Sequence, residues 1–167
     1  MKKSYCYIIL SLLFSLFVYM FYRTEKTVIN EIVISIISLQ RFIGLKSAIT
    51  NTLPLHHLVI YSLPEGLWVF CITLTSKSLF LRLVKREYNL IFLPLVFSIG
   101  LEMFQLFHLT NGQFDFWDIA LSLLFWVVAV AFVKPNPARQ NICKPITARS
   151  IVCVFTYLVV YLAHVWR

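Results

Sequence analysis

The chain has 167 residues, of which 60% are hydrophobic and 16% aromatic, while only 13% are charged. A soluble domain of this size cannot bury so much apolar surface, because its surface is large relative to its volume. The formal net charge of +8 comes from Lys and Arg residues scattered over short connections, without a nucleic-acid-binding motif. We therefore expect membrane lipids with anionic headgroups, and no nucleic acid, as partners.

Runs of about 17 to 25 mostly apolar residues can cross a bilayer as helices. Five segments approach that length, and in chain order they are 5–22, 64–79, 90–107, 116–133 and 151–164. We predict an all-α integral membrane protein with about five transmembrane helices, forming a single membrane domain over residues 1–167. The first segment follows Lys2 and Lys3 but has no small-residue cleavage site behind it, so we expect it to remain as an anchor.

The stretch 27–53 has a different pattern, in which apolar and polar residues alternate with helical spacing. The apolar positions are Val28, Ile29, Ile32, Val33, Ile36 and Ile37. Such a short amphipathic run predicts a helix lying along the membrane interface. A short re-entrant segment is the alternative.

The distribution of Lys and Arg predicts the orientation. If the N-terminus is cytoplasmic, most of the 15 Lys and Arg residues fall on the cytoplasmic side of the membrane. The positive-inside rule therefore predicts a multi-pass protein of the bacterial cytoplasmic membrane with a cytoplasmic N-terminus and an extracytoplasmic C-terminus.

Carboxylates interrupt two very apolar runs in the stretch GLEMFQLFHLTNGQFDFWDIA. Glu102 and Gln105 are three residues apart and share one face of a helix. Asp115 and Asp118 have the same spacing at the start of the next helix, after a turn signal at 111–112. The two spans therefore form a predicted hairpin whose carboxylates lie at similar depth on the outer side.

Glu65 in the stretch SLPEGLW adds a fourth carboxylate. Pro64 suits the first position of a helix, which places Glu65 in the first turn at the same outer end. A charge at the bilayer centre costs about 2.5–3.5 kcal/mol, so such residues usually face the bundle interior. We predict a functional polar cluster of Glu65, Glu102, Gln105, Asp115 and Asp118. For Asp115, a role as helix N-cap is the simpler interpretation.

The sequence gives no strong signal for a cofactor or a metal. The four cysteines at 6, 71, 143 and 153 lack paired metal spacing and are interpreted as small apolar residues. His108 with Glu102, Asp115 or Asp118 would be a chemically reasonable metal site, but no HExxH-like pair supports it. We expect an interfacial, solvated histidine, and neither metal nor cofactor.

Together, Glu102-x-x-Gln105 near the end of one span, a short polar turn, and Asp115-x-x-Asp118 at the start of the next resemble the signature of the VanZ-like family of bacterial membrane proteins. The resemblance covers about residues 60–133 and includes LPEGLW. It implies a small polytopic protein of the cell envelope. The founding member is linked to resistance to the glycopeptide teicoplanin, and most relatives have no established biochemical activity.

Three positions depart from that pattern. The Arg that many members carry shortly before the aspartates is absent from LTNGQFD, the usual Asn is replaced by Ser122, and a usual small Gly by Phe125. These departures concern the polar network and the close packing of the helices. The carboxylates themselves match.

Three functions fit these residues. The favoured one is a non-enzymatic envelope protein whose outward acidic pocket alters how the surface interacts with cationic amphiphiles or lipid headgroups, with a role in glycopeptide or lipoglycopeptide tolerance. The alternatives are an intramembrane enzyme that acts on a lipid-linked headgroup through carboxylate acid–base chemistry, and a proton-coupled transporter in which Glu102 titrates. No nucleophile and no internal repeat support these alternatives. The sequence does not indicate the oligomeric state.

Overall fold

The computed structural model describes residues 2–23, 28–83, 86–109, 113–131 and 139–164, and most of them are helical. The helices are α1 (Lys2–Tyr22), α2 (Val28–Ile37), α3 (Leu39–Thr52), α4 (His57–Tyr61), α5 (Leu63–Ser76), α6 (Leu93–Leu106), α7 (Phe116–Ala131) and α8 (Ala148–His164). A 3-10 turn at Leu90–Phe92 precedes α6. The strands are β1 (Leu79–Leu83), β2 (Arg86–Asn89) and β3 (Gln140–Asn141).

Helix α5 is the centre of the bundle and packs against α1, α6, α7 and α8. Most of its residues are buried, and Trp68, Val69 and Ile72 form a core cluster with Trp126 and Tyr157. A proline occupies one of the first two positions of both α5 and α6. Proline suits these positions because the first backbone N–H groups of a helix have no intrahelical acceptor.

Helices α1 and α6 run antiparallel to α5 and α7, so four helix termini meet at one end of the bundle. Ser15 Oγ, in the second half of α1, donates to the carbonyl oxygen of Pro64 at the start of α5 (3.4 Å). The end of α6 contacts the start of α7 through Glu102 and Asp115. We call this region, formed by the ends of α1 and α6 and the starts of α5 and α7, the acidic end.

The opposite end of the bundle carries the strands, and we call it the sheet end. Lys77 directly follows α5 there, and its Nζ donates to the carbonyl oxygens of Ala129 (3.0 Å) and Val130 (2.6 Å) in the last turn of α7. Cations are favourable at this position because the last carbonyl groups of a helix carry the negative end of its dipole. Burial lowers the pKa of Lys77.

The small sheet corrects the all-α prediction. Its strand order is β2-β1-β3, with Phe80 opposite Asn89 in the antiparallel pair and opposite Asn141 in the parallel pair. The predicted helix 64–79 ends at Ser76, and Leu79 begins β1 instead. Hydropathy could not distinguish a helix from a strand at this position, because a short apolar run fits a buried strand as well as a helix.

The segment predicted as one amphipathic helix consists of two helices. Asn30–Ile37 and Leu39–Thr52 are bent by 113° at Ser38, which has a φ of 72°. Helix α3 packs on the end of α1, where Tyr22 Oη donates to the carbonyl oxygen of Leu53 (2.6 Å). The bent pair has the shape of a broken span or a re-entrant loop.

Length and hydropathy support fewer spans than the sequence predicted. Among the described residues, His57–Ser76 is long and apolar enough to cross a membrane, and the bent α2–α3 pair would be a second span. The other apolar helical segments are shorter: Cys6–Tyr22, Leu90–Leu106, Phe116–Ala131 and Ala148–Val159. The chain is mainly helical with several apolar helices, but five transmembrane helices are not confirmed. The predicted turn at 111–112 and the predicted helical residues 132–133 lie outside the described residues.

Candidate functional site: an acidic cluster

The four predicted carboxylates come together at the acidic end. Glu65 lies in the first turn of α5, Glu102 near the end of α6, Asp115 just before α7 and Asp118 in its first turn. Glu102 is within electrostatic range of the other three. Glu65 and Glu102 are only 7% and 3% exposed, whereas Asp115 and Asp118 are partly exposed. We call these four residues the acidic cluster.

Glu102 connects the end of α6 to the start of α7. Its Oε2 accepts a hydrogen bond from the backbone N–H of Asp115 at 3.1 Å. Asp115 Oδ1 in turn accepts from the backbone N–H of Trp117 at 2.9 Å. Asp115 therefore caps the first turn of α7, in agreement with the simpler interpretation of this residue.

Glu65 belongs to a chain of polar side chains that joins three helices. Its Oε2 accepts from Trp68 Nε1 (2.7 Å), and its Oε1 lies 3.3 Å from Ser98 Oγ on α6. Ser98 Oγ lies 2.8 Å from Ser122 Oγ on α7. Because each hydroxyl donates one proton, Ser122 can donate to Ser98 while Ser98 donates to Glu65.

Ser98 was not predicted to belong to this site, and Ser122 was noted only as a departure from a family pattern. A usable signal was present, because Ser98 precedes Glu102 by four residues and Ser122 follows Asp118 by four. Residues four apart share one face of a helix. The polar face of each helix is therefore one turn longer than the carboxylates alone indicated.

Gln105, the fifth predicted member, is placed differently. Its side-chain amide makes no hydrogen bond to another described residue. Its backbone carbonyl oxygen accepts from the backbone N–H of His108 at 3.0 Å and lies 3.2 Å from His108 Nδ1. Within the described residues, no group of three His, Cys, Asp or Glu side chains has an arrangement that could hold a metal ion.

Arg23 brings a positive charge to the acidic end from the residue after α1. Its guanidinium lies 4.5 Å from the centre of the Tyr19 ring, and Nε donates to the carbonyl oxygen of Ile60 at 3.3 Å. Its Nη2 donates to the carbonyl oxygen of Tyr61. Arg23 also acts electrostatically on Asp118. Arg23 was not among the predicted site residues.

The Ser62 hydroxyl and Oδ1 of the Asp118 carboxylate are buried neighbours at this site. Ser62 lies at the junction of α4 and α5, and Asp118 lies in the first turn of α7. Because a serine hydroxyl has one donor proton, Ser62 can donate a hydrogen bond to this carboxylate. The pair therefore connects the start of α5 to the start of α7.

The helices that carry the cluster approach each other closely at Gly66. A Cβ atom added there would lie 2.5 Å from Phe125 Cδ2 and 3.2 Å from the carbonyl oxygen of Leu121 on α7. Only glycine fits this contact without displacing a neighbour. Phe125, which replaces the small residue of the family pattern, therefore packs against a residue without a side chain.

No protein-family model, curated protein or solved structure matches this chain. The VanZ-like resemblance consequently remains a prediction based on the spacing of the polar residues. The fold and the acidic cluster support a broader description than a family name. The chain is mainly helical, with several apolar helices and an acidic cluster at one end of its bundle.

Proposed function

We propose that the chain is a multi-pass protein of the bacterial cytoplasmic membrane, in which α1, α4–α5, α6, α7 and α8 cross the bilayer. The outward faces of the shorter helices support this proposal. Val96, Phe97, Ile151, Val154 and Phe155 are each more than half exposed. Exposing apolar surface to water costs about 25 cal/mol per Å², whereas hydrocarbon solvates the same side chains without that cost.

The charges at the two ends of the bundle support one orientation. Basic residues dominate the described part of the sheet end: Lys77, Arg82, Arg86, Arg139, Lys144 and Arg149. The acidic cluster lies at the other end. By the positive-inside rule, the sheet end and the N-terminus are cytoplasmic, and the acidic end faces outward.

The function that these features support best is that of a VanZ-like envelope protein without enzymatic activity. In this proposal the outward acidic cluster changes how cationic amphiphilic compounds interact with the cell surface and increases tolerance to lipoglycopeptides. The observation that carries it is the convergence of Glu65, Glu102 and Asp118 from three helices. Carboxylates within a membrane protein are expensive and usually functional, while the class of compound comes from the resemblance alone.

The experiment compares wild type with Glu102→Gln and Asp118→Asn in a susceptible bacterium. Both substitutions keep the size of the side chain and remove its charge. The matched control is Glu87→Gln, which changes an exposed carboxylate that pairs with Arg82 at the sheet end. We measure survival against teicoplanin and related lipoglycopeptides together with the amount of protein in the membrane.

We expect wild type and Glu87→Gln to protect the cells, and both cluster variants to lose protection at normal membrane levels. If all four proteins protect equally, the acidic cluster has no role in tolerance. If wild type gives no protection, the proposed function itself is wrong.

A further inference from the structure

Helix α3 is held against the end of α1 at the acidic end by two polar contacts. Tyr22 Oη donates to the carbonyl oxygen of Leu53, directly after α3 (2.6 Å). Lys46 Nζ, in the middle of α3, donates to the carbonyl oxygen of Arg23 (2.9 Å). The two contacts are seven residues apart, which is about 10 Å along a helix. They therefore fix the second half of α3 across the end of the bundle.

The faces of α3 differ in polarity. Phe42 is completely buried and its ring stacks on that of Phe21 in α1, with 6.2 Å between the ring centres, so it marks the inner face. At 3.6 residues per turn, Gln40, Ser47 and Asn51 lie on the opposite face. All three are exposed. The outer face of α3 is therefore suited to water.

Both helices of the bent pair also carry exposed apolar side chains near the bend. Leu39 and Ile43 are four residues apart on the flank of α3, between its inner and outer faces, and Ile32 and Ile36 have the same spacing on α2. These four side chains are between 46% and 75% exposed. Apolar surface gathered in this way is unfavourable in water and marks a site of interaction with a partner or a membrane.

The polar residues beside the bend argue against deep insertion of the pair. In a re-entrant loop or a broken span, the bend at Ser38 would lie deep in the bilayer. Gln40 and Arg41 are exposed within one turn of that bend, and their polar groups would then lie in hydrocarbon, which is unfavourable. At the membrane surface the same groups reach water and phosphate. Helix α3 has two basic residues and no acidic one, which complements the phosphate groups of phospholipids.

We propose that the α2–α3 pair lies along the outer surface of the membrane and binds its phospholipids, with Ile36, Leu39 and Ile43 inserted between the lipids. An interfacial helix of this kind buries its apolar side about 5–10 Å into the boundary between headgroups and acyl chains. Since α2 packs against α8 and α3 against α1, the pair surrounds part of the outer end of the bundle. The inference rests on the proposed function for the membrane placement of the other helices.

The experiment measures the surroundings of single nitroxide labels on the full-length protein in nanodiscs of phosphatidylcholine and phosphatidylglycerol. Each label is attached to one cysteine in a background without the native cysteines. Electron paramagnetic resonance then compares how often the label collides with molecular oxygen, which concentrates in hydrocarbon, and with a water-soluble nickel complex. The flank variants are Ile36→Cys, Leu39→Cys and Ile43→Cys.

The matched controls lie on the outer face of the same helix, at Ser47→Cys and Asn51→Cys. Val154→Cys on α8 is the reference for membrane placement, because Val154 is 57% exposed on a helix proposed to cross the bilayer. We expect oxygen to dominate over nickel at the three flank positions and at Val154, and nickel to dominate at the two controls. All the labelled side chains are exposed, so the substitutions leave the packed core unchanged.

Nickel dominance at the flank positions, with oxygen dominance at Val154, would overturn this inference and leave the membrane placement intact. Oxygen dominance at the controls as well would overturn it in favour of a re-entrant pair. Flank labels that neither reagent reaches would show that protein, such as a second copy of the chain, covers the flank instead of lipid. Nickel dominance at Val154 would refute the membrane placement and this inference with it.

Discussion

Gly66 sets the distance between α5 and α7, and Gly66→Ala tests whether that contact holds the acidic end together. The added Cβ would lie 2.5 Å from Phe125 Cδ2 and 3.1 Å from Phe125 Cε2, so the ring must move. It would also lie 3.2 Å from the backbone carbonyl oxygen of Leu121. Rotation of Phe125 cannot relieve that second contact, which requires a shift of α7 by a few tenths of an ångström.

Two opposing effects determine the change in stability. Overpacking a close contact typically costs about 1–3 kcal/mol. Replacing glycine by alanine inside a helix recovers about 0.8–1 kcal/mol through helix propensity. Subtracting the gain from the cost, we expect Gly66→Ala to lower the free energy of unfolding by up to about 2 kcal/mol, which corresponds to a fall of up to about 8 °C in the thermal midpoint for a chain of this size.

The assay is thermal unfolding of the purified proteins in one detergent. Gly100→Ala is the matched control, because a Cβ at Gly100 in α6 meets no atom within 4 Å. This control should be as stable as wild type or slightly more stable. In a double-mutant cycle, Phe125→Leu should reduce the cost of Gly66→Ala, since the smaller side chain leaves room for the added methyl group.

The steric explanation would be refuted if Gly66→Ala unfolded at the same temperature as Gly100→Ala. It would also be refuted if Phe125→Leu left the cost of the alanine unchanged. The second result would assign any instability of Gly66→Ala to another part of the molecule.

Two further predictions concern the opposite ends of the bundle. Lys77→Met removes the donor to two carbonyl groups of α7 and should lower the free energy of unfolding by about 1.5 kcal/mol. The measurement is thermal unfolding, with Lys144→Met, which changes an exposed lysine, as the control. Equal thermal midpoints for the two variants would contradict this prediction. Under the proposed orientation, Gln113→Cys should react with an impermeant thiol reagent on intact cells and Arg86→Cys only after permeabilisation, both in a cysteine-free background. The reverse labelling pattern would invert the orientation.

Helix positions followed well from local patterns in the sequence. The predicted segments 5–22, 90–107 and 151–164 closely match α1, the Leu90–Leu106 region and α8, because each is a continuous apolar run with polar or proline-containing flanks. The strands were missed because their pairing depends on distant residues. Leu79 lies opposite Gln140 in the parallel pair, a partner that no local period reveals. The bend at Ser38 was also missed, because it depends on the backbone conformation of a single residue.

The acidic cluster was predictable to the extent that its members share helix faces. The i, i+3 spacing of Glu102 with Gln105 and of Asp115 with Asp118 located two polar faces, and Pro64 located the start of α5. The partners supplied by other helices were not predictable in this way. Arg23 reaches the site from the end of α1, and Ser62 faces Asp118 only because α4 and α5 meet beside α7.

The departures from the family pattern acquire a physical meaning in this arrangement. Phe125 stands at the position of the usual small residue, where a large side chain could separate α5 from α7. It packs against Gly66 of α5, which has no side chain, so the two helices remain close. Ser122, at the position of the usual Asn, continues the polar chain from Ser98 to α7. Arg23, directly after α1, brings a positive charge near Asp118, whereas LTNGQFD contains no basic residue. Close packing of α5 against α7 and polar connections between the helices are therefore present in this chain despite its three differences from the pattern.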